Sequence, residues 1–297
     1  MRRAPQTPSR ASRALVCVAI GASFSCAGGA ASLSSESKTP GAVSVVPRAP
    51  SECPVSRKVL WRGDLSGPHW LEAWDPNAKI LYGDRNAERV TDPRFGNALR
   101  VHYPAGSSST AYAREGHPIG GLEFNAALPG TGHESVYFSY WIKFDDRFQW
   151  MRGGKLPGLC GGTCPSGGAR VTGSGGWSMR YMWRPNGAGE QYAYILPARE
   201  YGTELGLDSW QFTAGTWHHI ADELILNKNG AADGVSRVWF DAGPTGTPTF
   251  EAKGLTFRSD ATPVTTVFFS TFFGGHDASW ATPVDTFVDF ADFVVCE

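Results

Sequence analysis

Between Lys58 and Val295 the chain is written in short runs of alternating apolar and polar residues, broken at close intervals by Gly, Pro, Asn, Asp and Ser. That two-residue period marks half-buried β-strands, and no stretch carries the 3.6-residue stripe of an amphipathic helix. The runs predict strands over Lys58–Trp61, Ala98–Tyr103, Ser135–Phe144, Gly176–Arg184, Gln191–Leu196, Trp217–Leu226, Ser236–Asp241, Thr265–Phe273 and Thr286–Val295. Many short strands with Gly/Pro punctuation predict an all-β fold, a jelly-roll or sandwich. One pair of runs is informative in detail. Trp177, Met179, Tyr181 and Trp183 alternate with Ser178, Arg180, Met182 and Arg184, and after the turn-rich Pro185–Gly189 a second run brings Tyr192 and Tyr194. In a simple antiparallel hairpin, Ser178 opposes Tyr194 and Arg180 opposes Tyr192. All four then share the face opposite the tryptophans. A face bearing Ser, Arg and two Tyr reads as a reaction surface.

The N-terminal fifty residues read differently. Arg2, Arg3, Arg10 and Arg13 precede an apolar run from Ala14 to Phe24 that is too short to span a bilayer, which predicts a secretory signal peptide over residues 1–25. Cys26 follows Ser23-Phe24-Ser25, a relaxed version of a bacterial lipoprotein cleavage site, so lipidation at Cys26 and plain secretion both stand. Residues 26–55, rich in Ala, Gly, Ser and Pro, predict a flexible linker, and residues 56–297 one β-sandwich domain. Cys53, Cys160, Cys164 and Cys296 form an even set in an exported chain, which predicts disulfides. Cys53 and Cys296 lie at the two ends of the domain, and Cys160 with Cys164 closes a small loop. A zinc site is disfavoured because no second ligand pair completes it. The location expected is extracytoplasmic, free or lipid-anchored at the outer membrane.

Net charge is −1, but its distribution is uneven. Between Trp150 and Arg199 stand Arg152, Lys155, Arg170, Arg180, Arg184 and Arg199 against Glu190, a segment of +5 in a remainder of −6. A local basic patch on an acidic chain focuses an anionic ligand. Nucleic acid is not the expected partner, since the chain reads as secreted and acidic overall and no nucleic-acid motif accompanies the patch.

The run Gly153-Gly154-Lys155-Leu156-Pro157-Gly158-Leu159, followed by Trp177-Ser178-Met179-Arg180 and Glu190-Gln191-Tyr192-Ala193-Tyr194, resembles the polysaccharide lyase family 14 domain, which includes alginate and glucuronan lyases. Tyr137 to Phe144, Gly215 to His219, Arg237 to Asp241 and Ser270 to Gly275 extend the likeness over most of residues 58–295. The resemblance implies a jelly-roll, concanavalin-like β-sandwich with a concave substrate-binding sheet. It also implies an active site of Lys155, Ser178, Arg180, Tyr192 and Tyr194, the same group that the hairpin selects. The chain departs from the family in a Gly/Ser-rich insertion that carries Cys160 and Cys164 and runs to Gly176, bordering the expected groove.

Chemistry agrees with that set. β-Elimination from a 4-linked uronate needs a cation against the C6 carboxylate, a base for the C5 proton and an acid for the departing O4. Arg180 offers a planar fork for the carboxylate. Lys155, desolvated among cations, becomes a base. A phenol beside cations ionises more easily, and Tyr192 or Tyr194 serves as base, acid or both. Ser178 reads as an orienting hydrogen-bond group, since no Gly-x-Ser-x-Gly elbow surrounds it. Arg152, Arg184, Glu190 and His276 are candidate substrate contacts. The bland readings are a solvated Lys155 in a Gly-rich turn, an Arg180–Glu190 pair across the hairpin, and tyrosines that merely pack. The function expected is cleavage of a polyuronate such as glucuronan or alginate into unsaturated oligosaccharides, by a monomer without cofactor or metal. Its rival is a non-catalytic, lectin-like carbohydrate-binding sandwich. A glycoside hydrolase is disfavoured, because it needs two carboxylates and this segment holds only Glu190.

Overall fold

The computed structural model describes residues 53–228 and 230–297. The expected signal peptide, most of the linker and the Cys26 anchor lie outside them. The strands, in chain order, are β1 (Val59–Gly63), β2 (Ile80–Tyr82), β3 (Ala87–Asp92), β4 (Gly96–Tyr103), β5 (Leu122–Ala127), β6 (Ser135–Phe144), β7 (Gly154–Gly162) and β8 (Gly176–Trp183). They continue with β9 (Ala188–Tyr194), β10 (Thr203–Gln211), β11 (Trp217–Ile225), β12 (Gly234–Phe240), β13 (Phe250–Leu255), β14 (Thr266–Phe273) and β15 (Thr286–Cys296). Two five-residue helices, α1 (Trp70–Trp74) and α2 (Thr110–Arg114), sit in connections.

The strands form two antiparallel sheets. One has eight strands in the order β13-β12-β11-β6-β15-β4-β3, with β1 added beside β15. The other has seven, in the order β10-β9-β8-β7-β14-β5-β2. The alternation explains the layering. Trp177, Met179, Tyr181 and Trp183 of β8 meet Phe138, Tyr140, Ile142 and Phe144 of β6 in one apolar core. Each large side chain so buried stabilises the sandwich by about 1.5–3 kcal/mol. Trp239 and Trp217 lie on the outer face of the eight-stranded sheet. There Trp239 packs beside Tyr137 and Cys296, and Trp217 beside Trp141. Cys53 and Cys296 are joined with Cα atoms 5.8 Å apart, and Cys160 and Cys164 with Cα atoms 5.1 Å apart.

One polar group enters the core. Asp222 of β11 is fully buried, with Gln191 Nε2 3.4 Å from its Oδ2, and Ser236 donates to Gln191 Oε1 at 2.8 Å. Burial pushes the Asp222 carboxyl up to about 8.

Strand β7 was hidden in the sequence by its glycines and proline. It lies in the middle of the seven-stranded sheet, where proline is tolerated only at an irregularity. The irregularity is present: register against β8 shifts between Leu156 and Leu159, and against β14 between Phe268 and Phe272. Pro157 therefore owes the ladder no N–H, and its carbonyl accepts from Tyr140 Oη at 3.1 Å. At Gly158 a Cβ would fall 2.1 Å from the Met179 carbonyl oxygen and 2.6 Å from Arg180 Cα, so only glycine allows this close approach. The bulge sets Lys155 opposite Met182 on β8. Lys155 is thus a sheet residue and not one of a glycine turn.

Candidate active site

The hairpin β8–β9 has the expected register, with Ser178 opposite Tyr194 and Arg180 opposite Tyr192. Lys155 on β7 reaches across Met182. Its Nζ lies 2.6 Å from Met182 Sδ and 3.2 Å from the centre of the Tyr192 ring. The rings of Tyr192 and Tyr194 sit edge to face with centres 5.9 Å apart. Arg180 Nη1 donates to Ser270 Oγ at 3.1 Å, and Ser270 donates on to Glu123 Oε2 at 2.7 Å. The Arg180 guanidinium lies 4.8 Å from the Phe268 ring centre, and its Nε is buried without an acceptor. Among the described residues neither Lys155 nor Arg180 has a carboxylate within ion-pair distance.

The face is more enclosed than the strand pattern foretold. Ser178, Arg180, Tyr194 and Tyr192 are 0, 1, 3 and 8% exposed, while Lys155 is half-buried. Two loops cover Tyr192, Tyr194 and Ser178. Gly202 N donates to Tyr192 Oη at 3.0 Å, Gly168 N donates to Tyr194 Oη at 2.9 Å, and Ser178 Oγ donates to the Pro165 carbonyl at 2.6 Å.

These surroundings move the two titrating groups in opposite directions. Burial, and after it the nearby charges of Arg180 and Arg184, hold the Lys155 amine well below its usual range, and Glu190 and Glu204 oppose this only in part. Burial pushes the Tyr192 phenol up to about 12, helped by Tyr194 and opposed by the Gly202 amide and the two arginines. The expectation that cations ease ionisation of this phenol is therefore reversed, because desolvation outweighs them.

Glu190 is opposite Met182, not Arg180, so the cross-hairpin pair with Arg180 does not form. Arg184 takes Glu190 instead, Nε to Oε1 at 2.8 Å, and also pairs with Glu204. Arg152 lies exposed at the end of β7, donating to Ser279 Oγ at 3.0 Å with its guanidinium 4.7 Å over the Trp280 ring. His276 is exposed in the same loop after β14. The structure thus brings Lys155, Arg180, Tyr192, Tyr194 and Ser178 together, sets Arg184 and Glu190 beside them, and leaves Arg152 and His276 at a rim. Sequence reasoning missed Ser270 and Glu123, which hold Arg180. The alternation of β14, placing Ser270 on the face of Phe268, was the signal available for the first.

A two-sheet antiparallel sandwich with an unpaired amine, a guanidinium and two phenols on one sheet has the architecture and side chains of a jelly-roll polysaccharide lyase. Residues 91–293 match the family described as Polysaccharide lyase 14, and the chain belongs to that family. The crystal structure of the marine PL-14 alginate lyase from Aplysia kurodai superposes with a TM-score of 0.69 at 28% identity, covering 80% of this chain and 98% of that one. An alginate lyase from Chlorella virus gives 0.65 at 20% identity, over 80% and 99% of the two chains. The endo-β-1,4-glucuronan lyase of the fungus Trichoderma reesei gives 0.53 at 14% identity, over 80% and 94%. These last two likenesses are of fold. No curated protein sequence matches the chain.

Proposed function

We propose that this protein cleaves a 4-linked polyuronate, of the alginate or glucuronan kind, by β-elimination, with Lys155 as base and Tyr192 as acid. The observation that carries the assignment is the Lys155 amine against the Tyr192 ring, 3.2 Å from its centre and without a carboxylate partner. Environments that push two titrating groups apart separate the roles of acid and base. Its surroundings push the amine toward its neutral form, whereas the phenol is held in its protonated form. Neutral Lys155 takes the C5 proton, and the C–H electrons form the C4–C5 double bond as the C4–O4 bond breaks. Tyr192 gives its proton to the departing O4. The resulting phenolate recovers a proton from the Lys155 ammonium, which resets both groups. Arg180 supplies positive charge beneath the site as the carboxylate takes on enolate character, and a preorganised charge in a dry setting acts strongly. Tyr194 and Ser178 flank this pair. Arg184, paired with Glu190, completes the cluster, and Arg152 and His276 are outlying contacts for the chain.

Both disulfides fit an oxidising, extracytoplasmic setting. No helix among the described residues is long and apolar enough to cross a membrane.

The test is incubation with polymannuronate, polyguluronate and glucuronan while the ultraviolet band of the unsaturated uronate is followed. A steady rise on at least one polymer is expected. Binding with no rise on any of them supports the lectin-like alternative and overturns the lyase.

A further inference from the structure

The insertion between β7 and β8 lies directly on the candidate site. Its base is tied by the Cys160–Cys164 disulfide and by Thr163 N donating to the Gly175 carbonyl at 2.9 Å. Its far flank is held by Ser259 N on the Gly173 carbonyl at 2.5 Å and by Gly175 N on Asp260 Oδ2 at 2.8 Å. Gly173, at φ +89°, is seated so closely that a Cβ would meet Leu196 at 2.6 Å and Ser259 Oγ at 2.7 Å. Between these anchors the loop turns three groups down onto the sheet. The Pro165 carbonyl accepts from Ser178, the Gly168 amide donates to Tyr194, and Val171, 6% exposed, packs with Met182, Tyr192 and Tyr194.

A peptide carbonyl, an N–H and an aliphatic group over two aromatic rings offer the contacts that a sugar unit offers: a hydroxyl as acceptor, a hydroxyl as donor, and a C–H face. Resting on the reading above, we propose that the 163–175 segment determines specificity by filling the sugar position over Ser178 and Tyr194. It confines the uronate chain to the ground around Lys155 and Tyr192, so the site recognises a shorter stretch of polymer than an uncapped sheet would.

The test replaces residues 165–173 by Gly-Ser, leaving the disulfide in place, and separately makes Val171→Gly. For each form, kcat and KM are measured over a size series of oligouronates from the polymer that the unmodified protein cleaves. Binding of the same series is titrated calorimetrically in the Lys155→Ala background. The unmodified protein is expected to reach its full kcat/KM at short oligomers. The shortened form should keep rising with each added unit, gaining about tenfold on the longest oligomers, mainly through KM. Val171→Gly, which keeps the loop, should shift the same way by a smaller factor. Unchanged or weaker dependence on length in both variants overturns the proposal, since the loop is then a bystander or itself a binding surface. Cleavage with an unaltered length profile sinks this inference alone. Absence of cleavage and binding by every form sinks the polyuronate reading with it.

Discussion

The outer faces of the two sheets treat their cations differently. On the eight-stranded sheet Arg100 and Lys143 meet Asp289, Arg237 meets Glu223 and Glu251, and Arg57 meets Glu223. On the seven-stranded sheet Arg184 is paired in the same manner. The half-buried Lys155 and the enclosed Arg180 are left to a thioether, aromatic rings and a serine hydroxyl. Burying a cation without a counter-charge is unfavourable, and a fold selected for stability alone removes such groups. The contrast teaches that charge by itself does not mark the site. The missing partner sets these two cations apart, and on the proposed function a uronate carboxylate supplies it.

The strongest way to break the comparison is to remove the amine. Lys155→Ala should lower kcat about 10³-fold, within the range for loss of a general base, while the melting temperature holds or rises. A loss under tenfold would show that the lysine is not the base. Next in size is the carboxyl held between the sheets. Asp222 has a folded pKa of about 8 against the ordinary 3.8. Retaining its proton contributes stability that is fully present below about pH 4 and is lost as pH rises through 8. Unfolding by urea from pH 4 to 9 should therefore show a decline of several kcal/mol that Asp222→Asn removes.

Tyr192→Phe should lower kcat on the order of 10²-fold. The acid limb of kcat/KM against pH should survive in this variant, because it belongs to the amine. Arg180→Met should carry that limb to higher pH, since a neighbouring cation that lowers the Lys155 pKa is gone. A limb that stays in place would sever the link between the two cations. The smallest effect is the control on the other face: Lys253→Gln, which removes an exposed ammonium paired with Glu251, should alter stability by no more than about 1 kcal/mol and leave turnover unchanged, as checked by melting and initial rates.

The hairpin shows how much of this was legible beforehand. Alternation from Trp177 to Trp183 and the spacing to Tyr192 and Tyr194 fixed both the register and the face, since strand pairing is local arithmetic. Strand β7 escaped the same logic. Pro157 and four glycines erase the alternation, and the bulge that accommodates them exists only between two neighbouring strands. Strands β10 and β13, at the two sheet edges, are too polar to stand out from loops. The enclosure of Ser178, Tyr192 and Tyr194 was also illegible, because it comes largely from a loop whose path depends on residues as distant as Ser259 and Asp260. The upward shift at Tyr192 follows from that enclosure and was missed with it.

The Tyr140 hydroxyl that reaches from β6 to the Pro157 carbonyl has a wider consequence. It fastens the strand carrying Lys155 to the opposite layer two residues from the amine, so the height of that strand is set partly from behind. Repacking of the rear layer around Tyr140 is therefore transmitted to the reacting groups. On the proposed role of Lys155, variants chosen only to tighten the interior are expected to alter turnover while every residue of the candidate site stays unchanged.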